Sequence, residues 1–360
     1  MNNLILRCVN NKLMLSTVLF VALFLNPLSN NAQKEYEVAC VGFYNLENLF
    51  DTIADPDTNK ILQEEFTPKG SYNWDSKKYN EKLGNMAKVI SEMGLESTPD
   101  GPAVLGVAEI ENRLVLEDLV KQPAIAKRDY QIVHYESPDI RGIDVAFLYQ
   151  PKYFKLISSD SYELKIEGND RFASRDQLLV TGEILGERMH FIVCHWPSRR
   201  GGEKKSGPKR EAASKLSLHI MDSIRKAEPG AKIIMMGDLN DDPVSKSIKN
   251  VMKPKADVAD VVDGDLYNPM TKLYNKGIGT LGYNEAWNLF DQMILSSGLV
   301  DKSKTFKTFS YYNVTIFNKP FLISADGRFK NYPYRTYSYG EYIGGYSDHF
   351  PVYVTLLREK

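Results

Sequence analysis

The chain of 360 residues has three cysteines, too few for a fold stapled by disulfides. It has no excess of either charge. Its 45 lysines and arginines face 46 aspartates and glutamates, which excludes a strongly basic protein that coats nucleic acid and a strongly acidic tail. No segment repeats at a fixed period, which argues against a solenoid. Several catalytic signatures are missing. There is no GxSxG elbow for a serine hydrolase, no GxxxxGKS/T phosphate loop, and no HExxH or Cys/His cluster for zinc. What is present is an ordinary globular share of apolar residues, 43%, enough for a sizeable core.

The first residues have a distinct pattern. Arg7 and Lys12 precede an apolar run, Met14 to Leu25, broken only by Ser16 and Thr17, and Asn30-Asn31-Ala32 follow. A basic start, a short apolar run and a small residue form a secretory signal over residues 1–32, followed by one exported domain, 33–360. The run is short for a membrane span of about 20 residues, although an uncleaved anchor is the alternative. Export leaves Cys40 and Cys194, which either pair or stay as buried thiols; both sit in apolar runs, as buried thiols do.

Beyond residue 33, short β-rich runs alternate with helical stretches, the pattern of a layered α/β fold. The expected strands are 37–44, 103–108, 144–149, 178–185, 189–194, 232–236, 290–295 and 352–357. Tyr79, Leu83, Met86, Ile90 and Met93 fall at helical spacing after the cap candidate Asp75. Leu216, Ile220 and Ile224 do so before Pro229-Gly230, and a weaker helix spans about 114–121. Some strands follow each other with only a turn between. Two packed mixed sheets with outer helices therefore fit better than one parallel sheet.

Polar residues gather where the apolar runs stop. Asn45, Glu47 and Asn48 follow the first run; Glu109 and Glu111 follow the second. His195 ends VCHWPSR, Asp238 and Asn240 end IIMMGDLNDDP, Asp291 lies in NLFDQMILS, and Ser347-Asp348-His349 precede the last run. Carboxylates, amides and two histidines are oxygen and nitrogen donors that suit a hard cation such as Mg²⁺, Mn²⁺ or Ca²⁺, and such a metal points to phosphoryl oxygen as the substrate atom. Singly, each residue also fits a turn, a helix cap or a surface charge.

In this order the residues resemble the endonuclease/exonuclease/phosphatase superfamily, whose members resemble deoxyribonuclease I, over about residues 36–357. The resemblance implies a four-layer α/β sandwich with its site at one edge of two sheets. It implies Glu109 as principal metal ligand, with Glu47 and Asp348 beside it and Asn45 holding the metal site or the scissile phosphate. It makes Asp238 the group that aligns or deprotonates water, Asn240 a phosphate ligand, and His349 the residue that meets the leaving oxygen. Asp291 would orient His349, and His195 would bind a phosphate oxygen. Some relatives have Asp at the position of Glu47. Glu111 would share the face of Glu109 if its strand continued, so it competes as a ligand. Arg141 and Arg175 resemble positions near the site, where ordinary ion pairing is the alternative.

The implied activity is metal-dependent hydrolysis of phosphate esters, with nucleic acid as the expected substrate and no protein partner, the chain acting as a monomer. A phosphorylated small molecule or a lipid headgroup, cleaved by a phosphatase or a sphingomyelinase-like enzyme, is the alternative, and a non-catalytic binding protein is a third. The run HWPSRRGG resembles that of secreted bacterial nucleases. The loop SRRGGEKKSGPKR carries Arg199, Arg200, Lys204, Lys205, Lys209 and Arg210 against Glu203, which suits either a nucleic-acid backbone or a solvated loop. Residues 306–346 interleave Tyr and Phe with Arg328, Lys330 and Arg335, which suits either base stacking, lipid headgroups or a small core of its own.

Overall fold

Side-chain alternation sets the layers. A computed structural model describes residues 34–62, 64–283, 285–327 and 329–360, so the expected signal at 1–32 and Arg328 lie outside the described residues. In chain order the strands are β1 (Tyr36–Leu49), β2 (Val104–Ile110), β3 (Gln131–His134), β4 (Asp144–Tyr149), β5 (Phe154–Tyr162), β6 (Gln177–Ile184), β7 (Glu187–His195) and β8 (Ile233–Asp238). They continue with β9 (Leu266–Tyr267), β10 (Leu281–Tyr283), β11 (Ala286–Asn288), β12 (Asp291–Ser296), β13 (Ser310–Ile316), β14 (Tyr337–Ser338), β15 (Glu341–Tyr342) and β16 (Val352–Glu359). The helices are α1 (Ser76–Glu92), α2 (Arg113–Val120), α3 (Glu203–Ala227) and α4 (Met270–Tyr274).

Two mixed six-stranded sheets result, ordered β13-β16-β1-β2-β4-β3 and β5-β6-β7-β8-β12-β9, with two short ribbons, β10-β11 and β14-β15. Phe191 and Val193 of β7, Ile234 and Met236 of β8, and Met293 and Leu295 of β12 join the core between the sheets. Their neighbours Ile192, Cys194, Ile233, Met235 and Ile294 join a second core under Ile220, Met221 and Ile224 of α3. Period-two alternation on strands buried on both faces produces this sandwich. On the first sheet, a Cβ at Gly106 would lie 2.8 Å from Met236 Sδ of the second sheet, while a Cβ at Gly42 would lie 2.5 Å from Met93 at the end of α1. The four layers are therefore helix, sheet, sheet and helix, the α/β sandwich that the sequence resemblance implies.

Asp75 caps α1 by accepting from the Lys78 backbone N–H. The expected strands all form, with β1 extended to Leu49. Eight strands had no counterpart in the expectation: the four short ribbon strands β10, β11, β14 and β15, and β3, β5, β9 and β13, each the edge of its six-stranded sheet. α3 starts at Glu203, well before Leu216, so most of the expected cationic loop is helix. Gly277-Ile278-Gly279-Thr280-Leu281-Gly282 has the spacing of a dinucleotide turn, but it runs from α4 into ribbon strand β10 rather than from a strand into a helix. Cys40 and Cys194 are both free and buried. Cys40 packs beside Gly94 past α1, and Cys194 packs under α3, so both sheets stand between them.

Candidate active site

β1 and β2 run parallel, as do β7 and β8, while β12 and β16 run antiparallel to β8 and β1. Six strand ends therefore meet on one edge of the sandwich. Register aligns His195, Asp238 and Asp291 in a row across β7, β8 and β12. The alternation that places Val193, Met236 and Met293 between the sheets places these three there too, at the rim where the core stops.

Asp238 is the hub. Its Oδ2 accepts a hydrogen bond from Asn45 Nδ2 at 3.1 Å and lies 3.5 Å from His195 Nε2 and 3.8 Å from His349 Nε2. Its Oδ1 accepts from the Asn240 backbone N–H at 2.9 Å. His349 Nδ1 lies 2.8 Å from Asp291 Oδ2. The His349 backbone N–H donates to Ser347 Oγ, whose hydroxyl donates to the Asn45 carbonyl at 2.7 Å, tying the last loop to β1.

Glu109 reaches the site against its strand's alternation. With Gly106 facing the second sheet, a regular β2 would point Glu109 outward. Its φ of 60° and a register shift between Ala108 and Ile110 turn it inward. Glu109 Oε2 then accepts from the Asn48 backbone N–H at 3.1 Å, and Oε1 lies 3.7 Å from both His195 Nε2 and Arg141 Nη1. Glu47, Asn48 and Asn240 also hold left-handed backbone, at φ 49°, 51° and 49°. Each such non-glycine residue costs about 1–3 kcal/mol and is retained where the surroundings over-determine it. The same kink separates Glu111 from Glu109. Glu111 accepts from the Asp51 backbone N–H at 2.7 Å, away from the hub.

The two histidines hold opposite charge states. Burial, then the Arg175 and Arg141 guanidiniums, push His195 well below the usual imidazole range, so it is neutral. Burial opposes the charge on His349, but Asp291, Asp348 and Asp238 outweigh it and hold His349 well above that range. Burial pushes the Asp238 carboxyl up to about 6, with Asp291 adding and His349 opposing.

Glu47 and Asp348 form an adjoining cluster with two cations not expected at the site. Lys82 Nζ lies 3.8 Å from Glu47 Oε2 and donates to Thr336 Oγ1 and the Tyr346 carbonyl at 2.6 Å each. Arg335 pairs with Asp348 and lies 3.6 Å from Glu47 Oε1. The signal for Lys82 was there: it stands among Tyr79, Leu83 and Met86 on the apolar face of α1. Asp348 also reaches the hub, its Oδ1 lying 3.8 Å from His349 Nε2, and Glu47, Asp348 and Glu109 all act on the buried Lys82 ammonium.

The expected arginines divide. Arg175 has its donors committed to the His195 and Trp196 carbonyls, at 3.1 and 2.6 Å, and to Asp139 at 2.9 Å. Arg199 donates to the Asn240 carbonyl, pairs with Asp241 and Asp242 and lies over Phe290, so it braces the turn after β8. Both position the site rather than offering a free guanidinium. Asn240 Nδ2 is likewise committed, to the Trp196 carbonyl at 3.0 Å. Arg200 stays exposed, and Arg141 borders Glu109. The segment 306–346 supplies β13 to the first sheet and Phe309, Phe317 and Leu322 to the core; Phe321 and Tyr334 pack against Tyr346, while Arg335 and Tyr337 line a pocket of about 240 Å³ beside Asp348.

The residues fit a hard divalent cation. Glu109 Oε1 has no hydrogen bond shorter than its 3.7 Å approaches, and Mg²⁺ commonly uses one or two carboxylates plus water and substrate oxygens. One further group, His134, Glu136 and Asp144, brings ligand atoms close together. Its atoms are engaged otherwise: His134 Nε2 meets Asp144 Oδ2 at 3.0 Å, Ser137 donates to Asp144 Oδ1, and Glu136 pairs with Lys60 at 3.3 Å.

The family model of the Endonuclease/Exonuclease/phosphatase family matches residues 40–358. No curated protein matches the chain. Among solved structures, the chain is similar to an endonuclease/exonuclease/phosphatase family protein from Bacteroides thetaiotaomicron, with 17% identity, a TM-score of 0.55, and 90% of this chain and 99% of the other covered. It is similar to a mannosyl-6-phosphatase of the same organism (18% identity, TM-score 0.53, 88% and 99% covered). It is also similar to D. rerio TDP2 complexed with a single-strand DNA product (14% identity, TM-score 0.52, 89% and 99% covered).

Proposed function

The chain belongs to the endonuclease/exonuclease/phosphatase family, hydrolases of phosphate esters, and from that premise we propose that it is an exported, divalent-metal-dependent phosphodiesterase acting on nucleic acid. The observation that carries the reading is the hub: one carboxylate, Asp238, between a neutral and a protonated histidine, with Glu109 alongside.

Each group then has one task. Asp238 holds the attacking water and takes its proton, a role suited by a carboxyl raised to about 6. His349, charged and fixed by Asp291, donates to the leaving oxygen. His195 stays neutral and presents a ring N–H to a phosphoryl oxygen, adding no second positive charge that would compete with a metal. Asn45 holds Asp238 in place, and Asn240 closes the turn that carries it. Glu109 would hold the metal, Mg²⁺ or a similar hard cation, which supplies charge neutralisation of the phosphate. The D. rerio TDP2 complex supports a nucleic-acid substrate. The run Met14 to Leu25 supports export.

A second reading has an observation behind it. The pocket beside Asp348, walled by Phe66, Tyr72 and Tyr337, is closed enough for the organic part of a small phosphate ester. The mannosyl-6-phosphatase neighbour supports that alternative. The test incubates the protein with plasmid DNA or a single-stranded oligonucleotide and Mg²⁺ or Mn²⁺, with EDTA, Asp238→Asn and His349→Asn as controls. Cleavage lost in all three controls is expected. Release of phosphate from sugar phosphates without DNA cleavage would replace the substrate, and inactivity on both would overturn the enzymatic reading.

A further inference from the structure

The segment 199–210 is not one cationic surface. Arg199 and Arg210 are consumed internally: Arg210 is fully buried and pairs with Glu203 at 2.7 Å and Asp241 at 2.8 Å. Of its other cations, Arg200, Lys205 and Lys209 line a trough of about 360 Å³ that Arg141 and Arg175 also line. Asp139 also lines it, but its carboxylate is engaged by Arg175 at 2.9 Å. Among the described residues, no carboxylate pairs with Arg200, Lys205 or Lys209. Lys209 lies over the Phe172 ring at 4.9 Å instead.

Three further features concern unmet hydrogen-bonding capacity and charge. Ser174 lines the trough, is 3% exposed, and its Oγ has no partner. Arg141 joins trough and hub: its Nη1 approaches Glu109, and its Nη2 is buried without a partner. The start of α3 opens here, capped by Gly202 with no side-chain acceptor for the first-turn N–H groups. Lysines near a helix N-terminus oppose its macrodipole, a cost that a bound anion removes. A buried hydroxyl without a partner has a similar cost, which an anion oxygen also removes.

We propose that this trough is a second phosphate subsite, which holds the phosphate neighbouring the scissile one along a nucleic-acid strand. The inference rests on the proposed phosphodiesterase reading and deepens it. Arg141 borders both phosphates, Ser174 donates its hydroxyl, and Arg200, Lys205 and Lys209 neutralise the charge. A substrate with only one phosphate leaves the trough empty.

The test compares two substrates in the same protein: a single-stranded oligodeoxynucleotide and bis(p-nitrophenyl) phosphate, which has one phosphate. In Lys205→Glu/Lys209→Glu, kcat/KM is expected to fall at least tenfold more for the oligonucleotide than for the aryl diester, through KM. The slope of log KM against log salt should shrink by about 1 to 1.5, two contacts' worth for a single strand. Acidic residues near a helix start favour folding, so the variant keeps α3. Ser174→Ala, which leaves the charge unchanged, should raise the oligonucleotide KM two- to tenfold. An equal loss on both substrates, or no loss, overturns the subsite. Fluorescence anisotropy of a labelled oligonucleotide in EDTA separates the two readings. Tenfold weaker binding by the double variant in a protein inactive on both substrates would keep the subsite and discard the activity. Equal binding would discard the subsite, as would displacement by polyglutamate as effective as by oligonucleotide.

Discussion

His349 Nδ1 and Asp291 Oδ2 stand 2.8 Å apart although 58 residues separate them in the chain, and Asp291 itself is fully buried. The pair fixes both the orientation and the charge of the imidazole. Burial alone would strip the proton from His349; Asp291 first, then Asp348 and Asp238, keep it. Asp291→Asn therefore lowers the pKa of His349. In a pH–rate profile for phosphodiester cleavage, the alkaline limb is expected to move to lower pH, and kcat near pH 7.5 to fall about 10²–10⁴-fold. An unmoved limb would mean that another group carries the proton.

Lys82 and Glu47 call for a double-mutant cycle. Lys82 is fully buried and lies 3.8 Å from Glu47 Oε2. Lys82→Met leaves the buried Glu47 carboxylate held only by Arg335 at 3.6 Å and the Thr336 backbone N–H at 2.7 Å, and removal of one partner of a buried pair costs up to about 3–5 kcal/mol. Glu47→Gln/Lys82→Met is expected to be more stable in urea than Lys82→Met alone. Strict additivity of the two single changes would show that the pair is not coupled.

Glu109 and Glu111 are expected to respond oppositely. Glu109→Gln should lose at least about 100-fold in activity, as removal of a charge-stabilising group does. Glu111→Gln should keep activity and change stability. Burial pushes the Glu111 carboxyl up to about 8 from an ordinary value of 4.5. A carboxyl raised in the folded state favours folding most below 4.5, and that contribution is lost as pH rises through 8. The melting temperature of Glu111→Gln relative to the parent should therefore rise between pH 5 and 8.

Cys40 and Cys194 should be silent toward Ellman's reagent in the folded protein and react after denaturation in guanidinium chloride. Burial raises both thiols, Cys194 to about 12, and thiolate is the reactive form. Their positions beyond opposite faces of the sandwich also predict no disulfide in non-reducing mass analysis of residues 33–360.

Much of this architecture was legible in the sequence because inner strands carry it. The runs at 191–194 and 233–236 are apolar at every position, as strands buried on both faces require. β3, β5 and β13 were not legible because edge strands bury one side poorly: β5 reads FKLISSDSY, where exposed and half-buried positions blur the pattern; β9, with two residues, is too short to show a period. At the site, Asn45, His195, Asp238, Asp291 and His349 follow from strand ends. The pairing of Glu47 and Asp348 with Lys82 and Arg335 does not, because those cations come from α1 and from the loop before β14. The inward turn of Glu109 rests on a backbone kink that no side-chain pattern announces.

β16 lies between β13 and β1 in the first sheet, and His349 stands just ahead of it. The chain's final strand is therefore a middle strand, and its arrival completes both sheet and site. A growing chain with β16 still unmade has β1 paired on one side only and lacks the imidazolium. Synthesis from the N-terminus thus sets an order: on the proposed reading, a chain in which β16 has not yet docked against β1 is inert toward phosphate esters.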